Sequence, residues 1–203
     1  IPLLEDSALI IPLGRWIINT AAKACNRWIT SIPDFVMHIN LSFVQIVKSN
    51  IIKDVLENIE RYSAANNHYV FEITETIEMD QIPAVQNVFK EFAKNEFRFA
   101  IDDFGTGYSN YGYMRDRTFD IVKVDRSFVT DIDKLKDNYL MVSFIIKMAH
   151  EMGLHVCIEG VETKEELSCV KRLGADYIQG YYYGKPVCLQ DFEEQHLKRF
   201  VLG

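Results

Sequence analysis

Residues 69–110 read YVFEITETIEMDQIPAVQNVFKEFAKNEFRFAIDDFGTGYSN. The runs YVFEIT and FRFAID are short, apolar and rich in Val, Ile, Phe and Tyr, the composition of parallel strands buried on both faces. Between them, VQNVFKEFAKNE places apolar residues at three and four spacing, as a helix with one buried face does. The alternation continues in both directions. FVMHIN comes before, and DIVKVD, LHVCIE and DYIQG come after, giving six expected strands. IIKDVLENIERY, YLMVSFIIKMAHEMG and KEELSCVKRLG are expected helices, the last two closing on glycine. Such alternation defines an α/β fold, either an open doubly wound sheet or a closed barrel. Both gather their ligands at the carboxyl ends of the strands. Six strands are two short of a closed eight-stranded barrel.

The 203 residues, 48% of them hydrophobic, suffice for one sizeable core. No Pro/Gly/Ser linker or low-complexity tract marks an internal boundary, so residues 1–203 are expected to form one domain. The net charge of -7 argues against a broad grip on nucleic-acid polymers, which needs a basic surface, but it does not oppose phosphate held through metal ions. Cys25, Cys157, Cys169 and Cys188 are widely separated and form no CxxC pair, which fits a reduced, cytoplasmic setting. No apolar run reaches the roughly 18 residues of a membrane span. No membrane contact is expected of this domain, whereas a parent protein could be tethered.

The strand runs end in polar residues: Asn40; Glu72 and Glu75; Asp102 and Asp103; Lys123 and Asp125; Glu159 and Glu162; Gln179. Carboxylates in apolar runs are costly unless paired, hydrogen-bonded or bound to metal. One strand-end acid alone can be a helix cap or a surface ion pair, but a polar terminus on each of six runs points to a site. Carboxylates with an amide oxygen suit Mg²⁺ or Mn²⁺. Two such ions about 4 Å apart are a common means of hydrolysing phosphodiesters. Lys123 would lie beside the attacked phosphate or orient the water. Gly105 and Gly107 let the IDDFGTGYSN segment turn tightly after its strand, as an active-site loop does. Its DFG triplet also occurs in protein kinases, but the HRD loop, the VAIK-type lysine and the glycine-rich loop of kinases are absent.

At these residues the chain resembles the EAL-domain family of cyclic-di-GMP phosphodiesterases. The resemblance is carried by NLS at Asn40–Ser42, EITE at Glu72–Glu75, DDFGTGYS at Asp102–Ser109, KVDRSFV at Lys123–Val129, EGVE at Glu159–Glu162 and QGYYYGKP at Gln179–Pro186. It implies a TIM-like (β/α) barrel with one reversed strand, and an enzyme cleaving cyclic di-GMP to linear pGpG with two Mg²⁺ or Mn²⁺ ions. It further implies that Asn40, Glu72 and Asp102 hold one metal, and that Asp102 bridges to a second held by Asp103 and Glu159. Lys123, Glu159 and Asp102 would be the catalytic groups, with Lys123 on the attacking water. Gln179 would hold metal-bound water or the second ion. Glu162 and Asp125 would support the site, and Glu75 would anchor the DFGTG loop. Tyr181 and Pro186 would touch substrate.

IPLLED at the start resembles the family's FIP-x-AE segment. That alignment places two family strands, the glutamate-alanine-leucine motif, a metal-ligating glutamate and a phosphate-binding arginine ahead of Ile1. Departures at Asn110, Val124, Ile158 and Gly184 remove no charge or ligand. The alternative function is a non-catalytic cyclic-di-GMP receptor. A homodimer and a fused sensory or diguanylate-cyclase domain are further family expectations.

His38 shares the face of Asn40 on its strand and is expected to be a core or supporting histidine rather than a ligand. His150 and His155 are expected at the surface. Tyr181–Tyr183 could stack on a base or pack in the core. Trp16 and Trp28 are expected to anchor the packing of the first long helix.

Overall fold

All six apolar runs form strands in the computed structural model, which describes residues 1–62, 65–74, 83–106 and 119–197. In chain order the elements are α1 (Pro2–Asp6), α2 (Ile10–Ile29), β1 (Met37–Asn40), α3 (Phe43–Lys48), α4 (Ile51–Glu60), β2 (Tyr69–Thr74) and α5 (Pro83–Lys94). There follow β3 (Arg98–Phe104), β4 (Ile121–Val124), α6 (Lys136–Glu151), β5 (His155–Ile158), α7 (Lys164–Leu173), β6 (Tyr177–Ile178) and α8 (Leu189–Phe192). The chain divides into two compact units. The first is Ile1–Glu72, Asp80–Arg98 and Pro186–Gly203, and the second is Ile73–Met79 and Phe99–Lys185.

In the first unit β1 and β2 run parallel, with Asn40 opposite Glu72. The Leu41 N–H donates to the Glu72 carbonyl at 2.8 Å, extending the ladder past the end of β1. Ser42 then starts α3 through a capping box, its hydroxyl accepting from Val44 N–H while Gln45 accepts from the Ser42 N–H. The core side of β2 is aromatic: Phe71 meets Phe92 and Phe97 edge-on, at centroid distances of 5.0 and 5.5 Å. Burying a side chain of this size contributes about 1.5–3 kcal/mol.

Helix α2 buries Ile10, Gly14, Ile18, Ala22 and Cys25, one face of a 3.6-residue period. Trp28, three residues after Cys25, stays on that face, packing on Phe35 and Phe192 and donating its Nε1–H to Glu193 at 3.0 Å. Trp16 does not. It stands two residues from both Gly14 and Ile18, about 200° around the helix, and is 64% exposed. The expectation that it anchors packing is therefore corrected. The polar flank of α2 is tied to α4 by Arg15–Asp54 and Asn19–Asn58, each at 2.7 Å.

In the second unit β3, β4, β5 and β6 pair in that order, all parallel. Strand β4 is buried along its whole length, including Lys123. Helix α6 covers β5 with Val142, Ile145, Ile146 and Ala149 buried. Helix α7 begins with a second capping box, Thr163 with Glu166, and ends at Gly174 in the left-handed conformation (φ +89°). The register between β3 and β4 is regular at Ala100↔Ile121 and Ile101↔Val122, then shifts before Phe104↔Val124. That bulge falls on Asp102 and Asp103.

Candidate active site

The bulge determines how the acids of β3 present themselves. In a regular strand, adjacent residues point to opposite faces. Here Asp103 takes φ +53°, a left-handed conformation that aspartate tolerates better than most residues. Asp102, Asp103 and Glu159 each offer a carboxylate oxygen, and these oxygens all lie within 4.8 Å of one another. Lys123, 3% exposed, projects from β4 among them. Its Nζ lies 2.7 Å from Asp102 Oδ1 and 2.7 Å from Glu159 Oε1. Three carboxylates against one ammonium leave the group with excess negative charge, and every donor is a hard oxygen. The set therefore fits divalent Mg²⁺ or Mn²⁺.

Beside this group is a cleft of about 280 Å³, lined by Asp103, Glu159 and Gln179 and also by Asp125, Arg126 and Glu162. Gln179 is placed by the ladder beyond β6: its N–H donates to Ile158 O at 2.8 Å and its carbonyl accepts from Val161 N–H at 3.2 Å. Gly180 follows because the Val161 backbone passes so close that a Cβ there would lie 2.1 Å from Val161 O. Asp125 caps the turn Arg126–Phe128, accepting from Ser127 N–H at 2.9 Å. Burial pushes its carboxyl up, but hydrogen bonds from Ser127 and Arg126 and the Arg126 charge outweigh that, leaving its pKa lowered.

Glu166 holds the loop that carries Glu159 and Glu162. Its side chain is 6% exposed and accepts N–H bonds from Glu162 (2.9 Å), Thr163 (3.0 Å) and Asp131 (3.2 Å). Burial raises its pKa, but these backbone bonds more than offset that and the net shift is downward. No strand-end pattern in the sequence marks Glu166, although the capping pattern Thr163-x-x-Glu166 is legible.

In the first unit Asn40 and Glu72 end the paired strands, and Glu72 is 5% exposed. His38 Nδ1 lies 2.6 Å from Glu72 Oε1. His38 is exposed, so the core reading is corrected and the supporting one stands. His150 and His155 are exposed, as expected, at 2.8 and 3.5 Å from Asp176. Tyr181–Tyr183 form an exposed turn after a two-residue β6, correcting the expectation of core packing. Tyr181 lines the cleft and stacks with Lys185, whose Nζ is 5.4 Å from the ring centroid. Pro186 is exposed and belongs to the first unit. Glu75, Gly107, Ser109 and Asn110 lie outside the described residues.

Parallel strands joined by helices, with acids and a lysine at their carboxyl ends, define an α/β fold of the TIM-barrel kind with its polar site where that class places it. Residues 1–186 match the EAL domain, and the chain belongs to that family. Among its relatives, the probable cyclic di-GMP phosphodiesterase PdeG of Escherichia coli (strain K12) is 31% identical over 192 residues, covering 94% of this chain and 38% of PdeG. The EAL enzyme Bd1971, solved with cAMP and cyclic di-GMP bound, superposes with a TM-score of 0.90 at 33% identity, over 98% of this chain and 54% of that one. The MucR phosphodiesterase of Pseudomonas aeruginosa, in complex with cyclic di-GMP, gives a TM-score of 0.87 at 28% identity, over 94% of this chain and 78% of that one. The fold is thus the TIM-like α/β fold of EAL enzymes, with six parallel strands here. The chain spans 22 to 38% of the length of five curated relatives. No described helix is long and apolar enough to cross a membrane.

Proposed function

We propose that this chain is the catalytic part of a phosphodiesterase that hydrolyses cyclic di-GMP to linear pGpG with two Mg²⁺ or Mn²⁺ ions. The observation that carries the reading is the buried Lys123 ammonium held at 2.7 Å by both Asp102 and Glu159, with Asp103 beside them. A structural ion pair needs one acid for one lysine, whereas this cluster retains surplus carboxylate at the strand ends. Asn40 and Glu72 would be ligands of one ion. Asp102, Asp103 and Glu159 would hold the other, with Gln179 beside it. Bound there, the ions would lower the pKa of water and offset charge on the phosphate oxygens.

The chain's own groups then have distinct tasks. Lys123, protonated at Nζ, fixes the carboxylates of Asp102 and Glu159 and offers positive charge beside the attacking water. Glu159 and Asp102 would accept the proton that water gives up. Attack at phosphorus breaks one P–O3′ bond; the O3′ leaves with a proton, and the phosphate remains on the 5′ side as the linear dinucleotide. Glu166 and Asp125 keep the flanking turns in place.

Three further features belong to this reading. A homodimer is supported by an exposed apolar stripe on α6, Leu140, Met141 and Phe144, at 53, 46 and 56% exposure. A fused diguanylate-cyclase or sensory domain is supported by MucR, a bifunctional diguanylate cyclase and cyclic di-GMP phosphodiesterase. The setting is cytoplasmic, where a nucleotide second messenger is met.

The test is incubation of the full-length protein with cyclic di-GMP and Mn²⁺ or Mg²⁺, following pGpG by chromatography, alongside a chelator control and Asp102→Asn. Turnover that needs the metal and disappears in the folded variant is the expected result. Tight binding of cyclic di-GMP without turnover would establish the receptor alternative instead.

A further inference from the structure

Arg126 lines the same cleft as Asp103, Glu159 and Gln179, and it is the only lysine or arginine among the described residues that do so. Its side chain is exposed, and its guanidinium makes no ion pair or hydrogen bond with the described residues. The nearest acid in sequence, Asp125, feels the Arg126 charge, but its carboxylate accepts from the backbone of the turn it caps. The root of the side chain is seated against Gly160. That glycine has φ +72°, and a Cβ on it would fall 2.2 Å from Arg126 Cβ and 3.1 Å from Arg126 Cα. Gly160 directly follows Glu159. The close approach therefore sets the start of the arginine side chain against the loop that carries Glu159, while its far end has no ion pair or hydrogen bond among the described residues.

The charges in the cleft make that availability consequential. Asp103, Asp125, Glu159 and Glu162 all line it, and Lys123 is held between Asp102 and Glu159. A ligand carrying two phosphodiesters, one hydrolysed at a time, brings a second anion into an acidic cleft. A planar guanidinium, always charged, matches two phosphate oxygens at once.

We propose that Arg126 binds the phosphate of the ligand that is not being cleaved, so that it selects a ligand with two phosphodiesters and orients the other one on the carboxylate cluster. This rests on the cyclic-di-GMP reading above. It makes Arg126 a substrate-binding residue whose effect lies in affinity for the nucleotide rather than for metal.

The test uses the full-length protein and its Arg126→Ala and Arg126→Lys variants. Cyclic-di-GMP binding is measured by calorimetry with Ca²⁺ in place of Mn²⁺ to slow turnover, and Mn²⁺ binding is measured separately. Losing a charged hydrogen-bonding pair should weaken nucleotide binding by about ten- to a hundredfold in Arg126→Ala. Arg126→Lys should fall between, and Mn²⁺ affinity should match that of the unaltered protein. Nucleotide affinity of Arg126→Ala within about twofold of the unaltered protein, or a parallel loss of Mn²⁺ affinity, overturns the assignment while the phosphodiesterase reading stands. Failure of the unaltered protein itself to bind or cleave cyclic di-GMP overturns both.

Discussion

Asp103 adopts a left-handed backbone conformation immediately after Asp102, at the point where the β3–β4 register shifts, so that consecutive residues of one strand contribute to a single carboxylate group. The conformation and the charge can be tested apart. Asn accepts the left-handed region about as readily as Asp, whereas Ala there is strained by roughly 1–2 kcal/mol. Asp103→Asn and Asp103→Ala should both lose Mn²⁺ affinity and turnover. Only Asp103→Ala should also melt earlier, by about 2–4 °C for each kcal/mol in a chain of this size. Thermal melts beside Mn²⁺ calorimetry separate the two effects; equal melting points would refute the strain argument.

The strands were legible because parallel strands buried on both faces leave continuous apolar runs, as YVFEIT and DIVKVD do, and their polar ends marked where a site belongs. What single residues do there was less legible. Alternation sends Asp102 and Asp103 to opposite sides, and nothing in the sequence announces the bulge that reunites them. Trp16 looked like core because it is large, yet the period set by Gly14 and Ile18 turns it outward. Three consecutive tyrosines have strand propensity, but β6 stops at Ile178 and leaves them in an exposed turn. Arg126 lies inside the KVDRSFV motif but carried no signal of its own, since its proposed role depends on a cleft assembled at the ends of four strands.

Lys123 is a buried cation shared by two carboxylates, and removing it takes that charge away from both. Lys123→Met should lose turnover by about a hundredfold or more and stability by about 3–5 kcal/mol. Divalent cations should restore part of that stability, because they supply the missing positive charge to the same oxygens. The check is a denaturant titration of both proteins with and without Mn²⁺. A Mn²⁺-induced gain no larger in Lys123→Met than in the unaltered protein would count against the shared-cation account.

His38 holds Glu72 at 2.6 Å, and a carboxylate acceptor requires the proton on Nδ1. Partners of this kind orient a metal-binding carboxylate and are worth about 10- to 100-fold in metal affinity or activity when lost. His38→Ala is expected to weaken Mn²⁺ binding by that amount while leaving the fold intact, because the side chain is already part-exposed. Calorimetric titration with Mn²⁺ measures it. Unchanged affinity would mean that Glu72 is positioned by the strand alone.

Glu166 makes the most direct prediction about pH. Its folded-state pKa is lowered: burial acts to raise it, but the backbone N–H groups of Glu162, Thr163 and Asp131 favour the ionised form more strongly. A lowered carboxyl stabilises the fold fully above its unfolded value, about 4.3, and loses that contribution as pH falls through the folded value. Glu166→Gln keeps the shape but offers one acceptor oxygen where two are used. It should be less stable than the unaltered protein at pH 7, by about 1–3 kcal/mol, with the gap closing as pH drops below about 4. Because the three N–H groups belong to the turn after Arg126–Phe128 and to the loop after Glu159, turnover should fall more in Glu166→Ala than in Glu166→Gln. Denaturant unfolding across pH 3 to 7, about the window in which this carboxyl titrates, reads the first effect and steady-state rates read the second. A stability gap that stays constant through that window would show that the ionised form of Glu166 is not what fastens the loop.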